Sequence, residues 1–292
     1  MPTRILVKTT IGPVADDWHV GRFSLLTEHL RSLKDSSGGV LYDVVARDRN
    51  ENPKGDDADL LQLANGAYDQ LWLIGTDVTG ALTSADVENL AQFRRRGGGI
   101  LLTRDHQDLG ACLTRLGALG TTQYFQTANP DPDESHRCCD DLETPSISWP
   151  NYHSGANGDL QTIDAIHPVH ALMRNASGTA IRRLPAHPHE GSVGVPTALR
   201  HIARVVAQGR SLTTGVAFNL CVAVEEPGMG RAVSDSSFHH FCDYNWNPRT
   251  GCPSFVNEPA GEGVLSSPEA LDDGHRYVEN IAAWLAGRSR PV

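Results

Sequence analysis

The residue types that can trade protons or hold a metal gather at a few points of this 292-residue chain. Thr103-Arg104-Asp105-His106 closes one apolar run, and Asp235-Ser236-Ser237-Phe238-His239-His240 closes another. Asp16-Asp17-Trp18-His19 and Asp77 follow two further runs, while His187-Pro188-His189-Glu190 and Asn151-Tyr152-His153-Ser154-Gly155 lie in segments rich in turn-forming residues. Imidazoles titrate close to neutral pH, and beside a carboxylate they serve as general acid or base. On this reading Asp105, His106 and Glu190 carry the chemistry, with His19, Asp77, His153 and Asp235 contacting substrate. The same groups are zinc ligands. A divalent-metal version of the site draws on His106, His187, His189, His239 and His240, with a remaining carboxylate such as Glu190 as base on the metal's water. The competing version is a metal-free cleft in which Asp105 and His106 handle the protons. No H-E-x-x-H segment is present to fix a metal geometry.

Such residues work together only if elements of the fold bring them to one place. The first third alternates strand and helix signals: strands over residues 4–9, 42–46, 70–75 and 99–103, and helices over 21–33 and from Ser84 to the triple glycine at 97–99. Ser84 reads as an N-cap with acidic residues in the first turn, and Arg94-Arg95-Arg96 as the cationic end of that helix. Strands alternating with helices point to βαβ units: an α/β, three-layer sandwich with a mostly parallel sheet. Residues 120–190 lose periodicity and form an insertion or lid over the carboxyl edge. Strand signals return at 200–206, 213–219 and 231–236, with turns at Gln208-Gly209 and Pro227-Gly228. Residues 267–286 form a capped amphipathic helix with Tyr277, Ile281, Trp284 and Leu285 on one side. No repeat or composition break divides the chain, so residues 1–292 read as a single elaborated domain. In an open α/β sheet, ligands bind beyond the carboxyl ends of the strands, where the candidate residues above emerge.

The early Trp-His loop, the Gly-Gly-Gly-Ile-Leu-Leu strand, Gly-Arg-Ala-Val-Ser-Asp-Ser-Ser-Phe-His-His and the terminal Tyr-Val-Glu-Asn-Ile-Ala-Ala-Trp-Leu-Ala-Gly resemble the trehalose-utilisation (ThuA-like) branch of the class I glutamine amidotransferase-like fold. The resemblance covers the beginning to about Asp105 and the stretch from about Arg231 onward. It implies that His19 matches the early loop histidine, that Asp105 and His106 occupy the turn where amidotransferases keep their nucleophile, and that His239 or His240 matches the late histidine. The departure from that pattern is chemical. No cysteine stands at the turn directly after Thr103, and Cys112 falls in the next helical piece, so glutamine hydrolysis by a cysteine nucleophile is not expected.

With 39 % hydrophobic residues the chain is not disordered, and its formal charge of -10 opposes nucleic-acid and anionic-membrane partners. No apolar run is long enough for a membrane span, and the N-terminal residues read as a strand rather than a signal peptide, so a cytoplasmic protein is expected. The six cysteines form no C-x-x-C pair. A disulfide among Cys138, Cys139, Cys242 and Cys252 would require an oxidising compartment, and a redox role for Cys138-Cys139 would require exposed thiols of low pKa. Two principal functional classes follow. One is an enzyme, a hydrolase or lyase, acting on a small polar substrate such as a sugar derivative or amide. The other is a non-catalytic ligand-binding or scaffolding protein on the same fold. Neither class bars a homo-oligomer.

Overall fold

The computed structural model describes residues 1–78, 80–105, 107–134, 159–185, 192–210, 215, 217–256 and 262–287. Its centre is an eight-stranded sheet of order β2-β1-β3-β4-β12-β11-β10-β7. The strands β1 (Thr3–Thr9), β2 (Tyr42–Arg47), β3 (Gln70–Ile74), β4 (Gly99–Thr103) and β12 (Ala232–Asp235) run parallel. They are followed by antiparallel β11 (Ala217–Val224), β10 (Ala203–Arg210) and the edge strand β7 (Asp164–Ala165). Both faces of the parallel part are covered. This explains the nearly continuous apolar runs Leu71-Trp72-Leu73-Ile74 and Ile100-Leu101-Leu102, all buried.

Alternation along the strands sorts these side chains into two cores. Ile5, Val7, Trp72, Leu101 and Val233 pack with Leu26 and Leu30 of α1 (Ser24–Ser32) and with Tyr277, Ile281 and Trp284 of the C-terminal helix. Leu6, Leu71, Leu73, Ile100 and Leu102 pack on the other face with Leu60 and Leu63 of α2 (Ala58–Leu63) and with Leu90 and Phe93 of α3 (Ser84–Arg95). Each buried aliphatic or aromatic side chain contributes about 1.5–3 kcal/mol relative to exposure. Three more helices complete the described set: α4 (Asp243–Trp246), α5 (Gly263–Ser266) and α6 (Pro268–Leu285). Among the described residues no helix is long and apolar enough to cross a membrane.

The structure departs from the sequence expectations in four places. The cap of α3 is Thr83: its hydroxyl accepts the Asp86 amide while the Asp86 carboxylate accepts the Thr83 amide, a reciprocal capping box. Helix α2 is additional. Its six residues are too few to show a period, but Asp57 caps it through the amides of Asp59 and Leu60. Gln208 and Gly209 lie inside β10, because antiparallel pairing with Asn219 and Phe218 carries the strand through them. The 120–190 stretch has two destinations. Its start, with β5 (Gln123–Tyr124) paired to β9 (Ser192–Val193), reaches the carboxyl ends of β4 and β12, where Gln123 Nε2 donates to Leu102 O and Asp235 O. Its later described part adds β7 to the sheet edge and lays the β6 (Leu160–Thr162) and β8 (Arg183–Pro185) pair beside α6.

Candidate functional site

From β1 the chain turns one way to β2 and the other way to β3, so the sheet's switch point lies between β1 and β3. There the Thr10 hydroxyl donates to Asp77 Oδ1 at 2.7 Å and accepts the Thr76 and Asp77 amides. The Cys112 thiol donates to the same Asp77 oxygen at 2.9 Å, and the Ala81 amide reaches Asp77 Oδ2. Asp77 is thus buried and engaged in tying loops together. The backbones behind it meet closely. A Cβ on Gly75 would stand 2.8 Å from Gly110 Cα, and Gly110 itself has φ 82°. Only glycine suits both positions.

Strand β4 ends at Thr103 and delivers Arg104 and Asp105. Beside it, β12 ends at Asp235 and passes into a 3-10 turn, Phe238–His240, capped by the Ser237 hydroxyl on the His239 amide. This turn resolves the problem of two adjacent histidines, because each meets a different carboxylate. His239 Nε2 lies 3.4 Å from Asp105 Oδ2, and His240 Nδ1 lies 3.0 Å from Asp235 Oδ1.

The two pairs have different surroundings. Asp235 accepts from Tyr277 Oη at 2.7 Å, from the Ser237 amide at 2.9 Å and from Thr103 Oγ1 at 3.3 Å, besides facing His240. It is a buried fastening of β4, β12 and α6. His240 is held in turn, since its carbonyl accepts Trp246 Nε1 at 2.9 Å.

His239 stands between a carboxylate and a thiol, with Asp105 at Nε2 and Cys242 Sγ 3.7 Å from Nδ1. Its ring is boxed by Phe238, at 4.6 Å between centroids, and by Trp18, edge-on at 5.2 Å. Burial pushes the Cys242 thiol far above its ordinary pKa, so it is a weak hydrogen-bond partner rather than a thiolate. Burial, with Asp77 beside it, does the same to Cys112. Cys242 and Cys252, two of the four cysteines that an oxidising compartment could pair, are free thiols.

The remaining candidates divide between the described residues and the rest. His19 is half-buried and caps the 3-10 turn Val20–Phe23, its Nδ1 accepting the Gly21 amide at 3.1 Å. In that Trp-His loop it is Trp18 that touches the His239 ring; a tryptophan beside a polar loop reads equally well as core, and no spacing rule marks it out. His106, His153, His187, His189, Glu190, Cys138 and Cys139 lie outside the described residues. Among the described residues no group of three or more His, Cys, Asp or Glu side chains converges as a metal site.

Arg104 carried no role in the sequence reading. Its guanidinium is fully buried, stacked 4.1 Å over the Phe125 ring, and burial pulls its pKa down to about 9. Nη2 donates to Gln107 O at 2.5 Å. Gln107 has φ 54°, a left-handed conformation uncommon for a residue with a side chain.

No family model matches the sequence, and no curated protein matches it either. Solved structures do share its fold. A protein of Parabacteroides merdae described as ThuA-like superposes with a TM-score of 0.53 at 12 % identity, over 100 % of this chain and 93 % of the other. The N-terminal domain of mmIFT52 superposes with a TM-score of 0.54 at 13 % identity, over 99 % and 100 %. At these identities what is shared is the fold, an α/β sandwich like that of the ThuA-like protein, and not an activity.

Proposed function

We propose that this chain, built on the ThuA-like sandwich, is an enzyme acting on a small polar substrate, a sugar derivative or an amide, with Asp105 and His239 as its proton-handling pair. The observation that carries this reading is the approach of His239 Nε2 to within 3.4 Å of Asp105 Oδ2 at the end of β4, the turn where this fold's amidotransferases keep their nucleophile. A carboxylate and an imidazole at that distance can share one proton. With Asp105 on Nε2, the nitrogen that exchanges the proton is Nδ1, which the Cys242 thiol faces at 3.7 Å and must yield: Nδ1 takes a proton from water or a substrate hydroxyl, Asp105 stabilises the imidazolium formed, and Nδ1 returns the proton to the leaving group. Contacts at separations of this order commonly tighten once substrate is bound.

Cysteine-based glutamine hydrolysis does not belong to this reading. Cys112 and Cys242 are buried with their thiols pushed up in pKa, and neither occupies the turn after β4. The test is a turnover screen against amides, lactones and esters of small sugars, run on wild type, His239→Asn, Asp105→Asn and Cys112→Ser. Acid–base catalysis predicts that turnover falls about 10²–10⁴-fold in the first two variants and is unchanged in the third. Turnover abolished by Cys112→Ser, or unchanged in His239→Asn, would sink the reading. Stoichiometric binding with no turnover of any panel member would favour the ligand-binding class instead.

A further inference from the structure

Polar atoms without hydrogen-bond partners are costly in a protein interior and commonly mark a missing water, ion or ligand. Several lie along the seam between β4 and β12, on the face that carries α3. Arg104 Nε and Nη1, Gln123 Oε1 and Ser236 Oγ are buried and have no hydrogen-bond partner among the described residues. Alternation puts Arg104 on the same face as Leu102, which belongs to the α3-side core together with Phe125, the ring under the guanidinium. Ser236 follows by two residues Ser234, which pairs with Leu102 in register and whose hydroxyl lies 2.5 Å from that of Thr122. Gln123 bridges both strands through Leu102 O and Asp235 O.

No ion pair to Arg104 occurs among the described residues. The charges of Asp105 and, less, Asp108 favour its guanidinium, and Asp108 is committed to the Thr127 and Ala128 amides and the Thr127 hydroxyl. Among the described residues the acceptor on Arg104 is Gln107 O, at Nη2. Nη2 is the nitrogen common to both two-pronged edges of a guanidinium, so a neutral carbonyl there blocks bidentate pairing on either edge.

We propose that Arg104 is the anchor for the carboxylate of a small hydroxycarboxylate. The carboxylate replaces Gln107 O on Nη2 and takes Nε or Nη1 as its second donor. Ser236 Oγ donates to its other lone pairs, and a substrate hydroxyl donates to Gln123 Oε1. Exchanging a neutral carbonyl for a carboxylate strengthens the bond to the guanidinium and leaves the Gln107 carbonyl with the Gln126 amide. By the same alternation Asp105 turns to the other face, where Trp18 and Phe238 of the α1-side core box its partner His239, so the anion site does not depend on the acid–base reading above.

The experiment is thermal unfolding and calorimetric titration of the full chain with sodium lactate, propionate, phosphate and chloride at fixed ionic strength, repeated on Arg104→Met, Arg104→Lys and His239→Asn. At about five times its dissociation constant lactate raises Tm by about 2–4 °C. It binds more tightly than propionate, which lacks the hydroxyl. The shift disappears in Arg104→Met and weakens about tenfold in affinity in Arg104→Lys, which keeps the charge and loses the fork. His239→Asn keeps it, which separates failure of the anion site from failure of the catalytic pair. Should Arg104→Met fail to fold, the loss in Arg104→Lys decides. The proposal is overturned by the absence of any lactate shift, by an equal shift in the Arg104 variants, or by an equal response to phosphate or chloride.

Discussion

The two Asp–His pairs at the carboxyl edge differ in what their carboxylates hold, and matched Asp→Asn substitutions convert that difference into a measurement. In Asp235→Asn one oxygen becomes an NH2 group. The amide of Ser237, 2.9 Å from Oδ1, cannot reverse its role, so the NH2 must take the Oδ2 position, where Tyr277 Oη now donates at 2.7 Å and His240 Nδ1 lies at 3.2 Å. Tyr277 can turn to accept, but the bonds that remain are no longer charge-assisted. Hydrogen bonds to a charged group are worth about 1.5–3 kcal/mol and neutral ones about 1 kcal/mol. Losing that difference at two or three buried bonds costs about 2–3 kcal/mol. For a chain of this size that lowers Tm by about 4–12 °C. Among the described residues Asp105→Asn alters the contact at 3.4 Å to His239, and that change costs about 1 kcal/mol or less. Urea and thermal unfolding of the two variants give the comparison. An Asp235→Asn protein within about 0.5 kcal/mol of wild type, or an Asp105→Asn protein destabilised as much as Asp235→Asn, would refute the division into a structural and a chemical pair.

Thr83→Ala removes the hydroxyl that caps α3 and lowers stability by about 1 kcal/mol, measurable as a shift in urea midpoint at constant slope; no shift would contradict the capping box. Gly110→Ala puts a methyl group 2.7 Å from Gly75 O at φ 82°; soluble yield and Tm should both fall sharply, and a Tm equal to wild type would show that the contact relaxes freely. His170 and His275 have their pKa pulled down to about 4, in both cases chiefly by burial. The unfolded chain therefore takes up protons at these sites before the folded one does. Their stabilising contribution is complete above about pH 6.5 and is lost as pH falls toward 4, so unfolding free energy should decline across that window. A His275→Gln protein should decline less steeply, and an unchanged slope would refute the assignment.

How much of this was legible in the sequence follows from which interactions are local. The strands of the parallel half announce themselves as apolar runs, and α6 carries proline at its first position and glycine after its end. Both signals depend on neighbours in the chain. Helix α2 offers only six residues between two polar turns, too few to show a period, and β10 continues through Gln208-Gly209 because a partner strand pairs with them. The same distinction runs through the site. A carboxylate after β4 and histidines after β12 can be read from the order of residues. The pairing of His239 with Asp105 and of His240 with Asp235 depends on a 3-10 turn that puts adjacent side chains to different uses. Nothing in the sequence marks Arg104 out, because a basic residue at a strand end is ordinarily solvated. Its stacking on Phe125, in a segment without periodicity, is a tertiary fact.

The central claim is that Asp105 and His239 work as one proton-handling unit, and a double-mutant cycle tests it most directly. The quantity is kcat/KM for a turned-over substrate in wild type, Asp105→Asn, His239→Asn and the double variant. Residues acting as a unit are strongly non-additive. The account predicts that each single change costs about 100-fold or more and that the double variant is little worse than either. Losses that multiply in the double variant, or a single variant that keeps wild-type turnover, would contradict it.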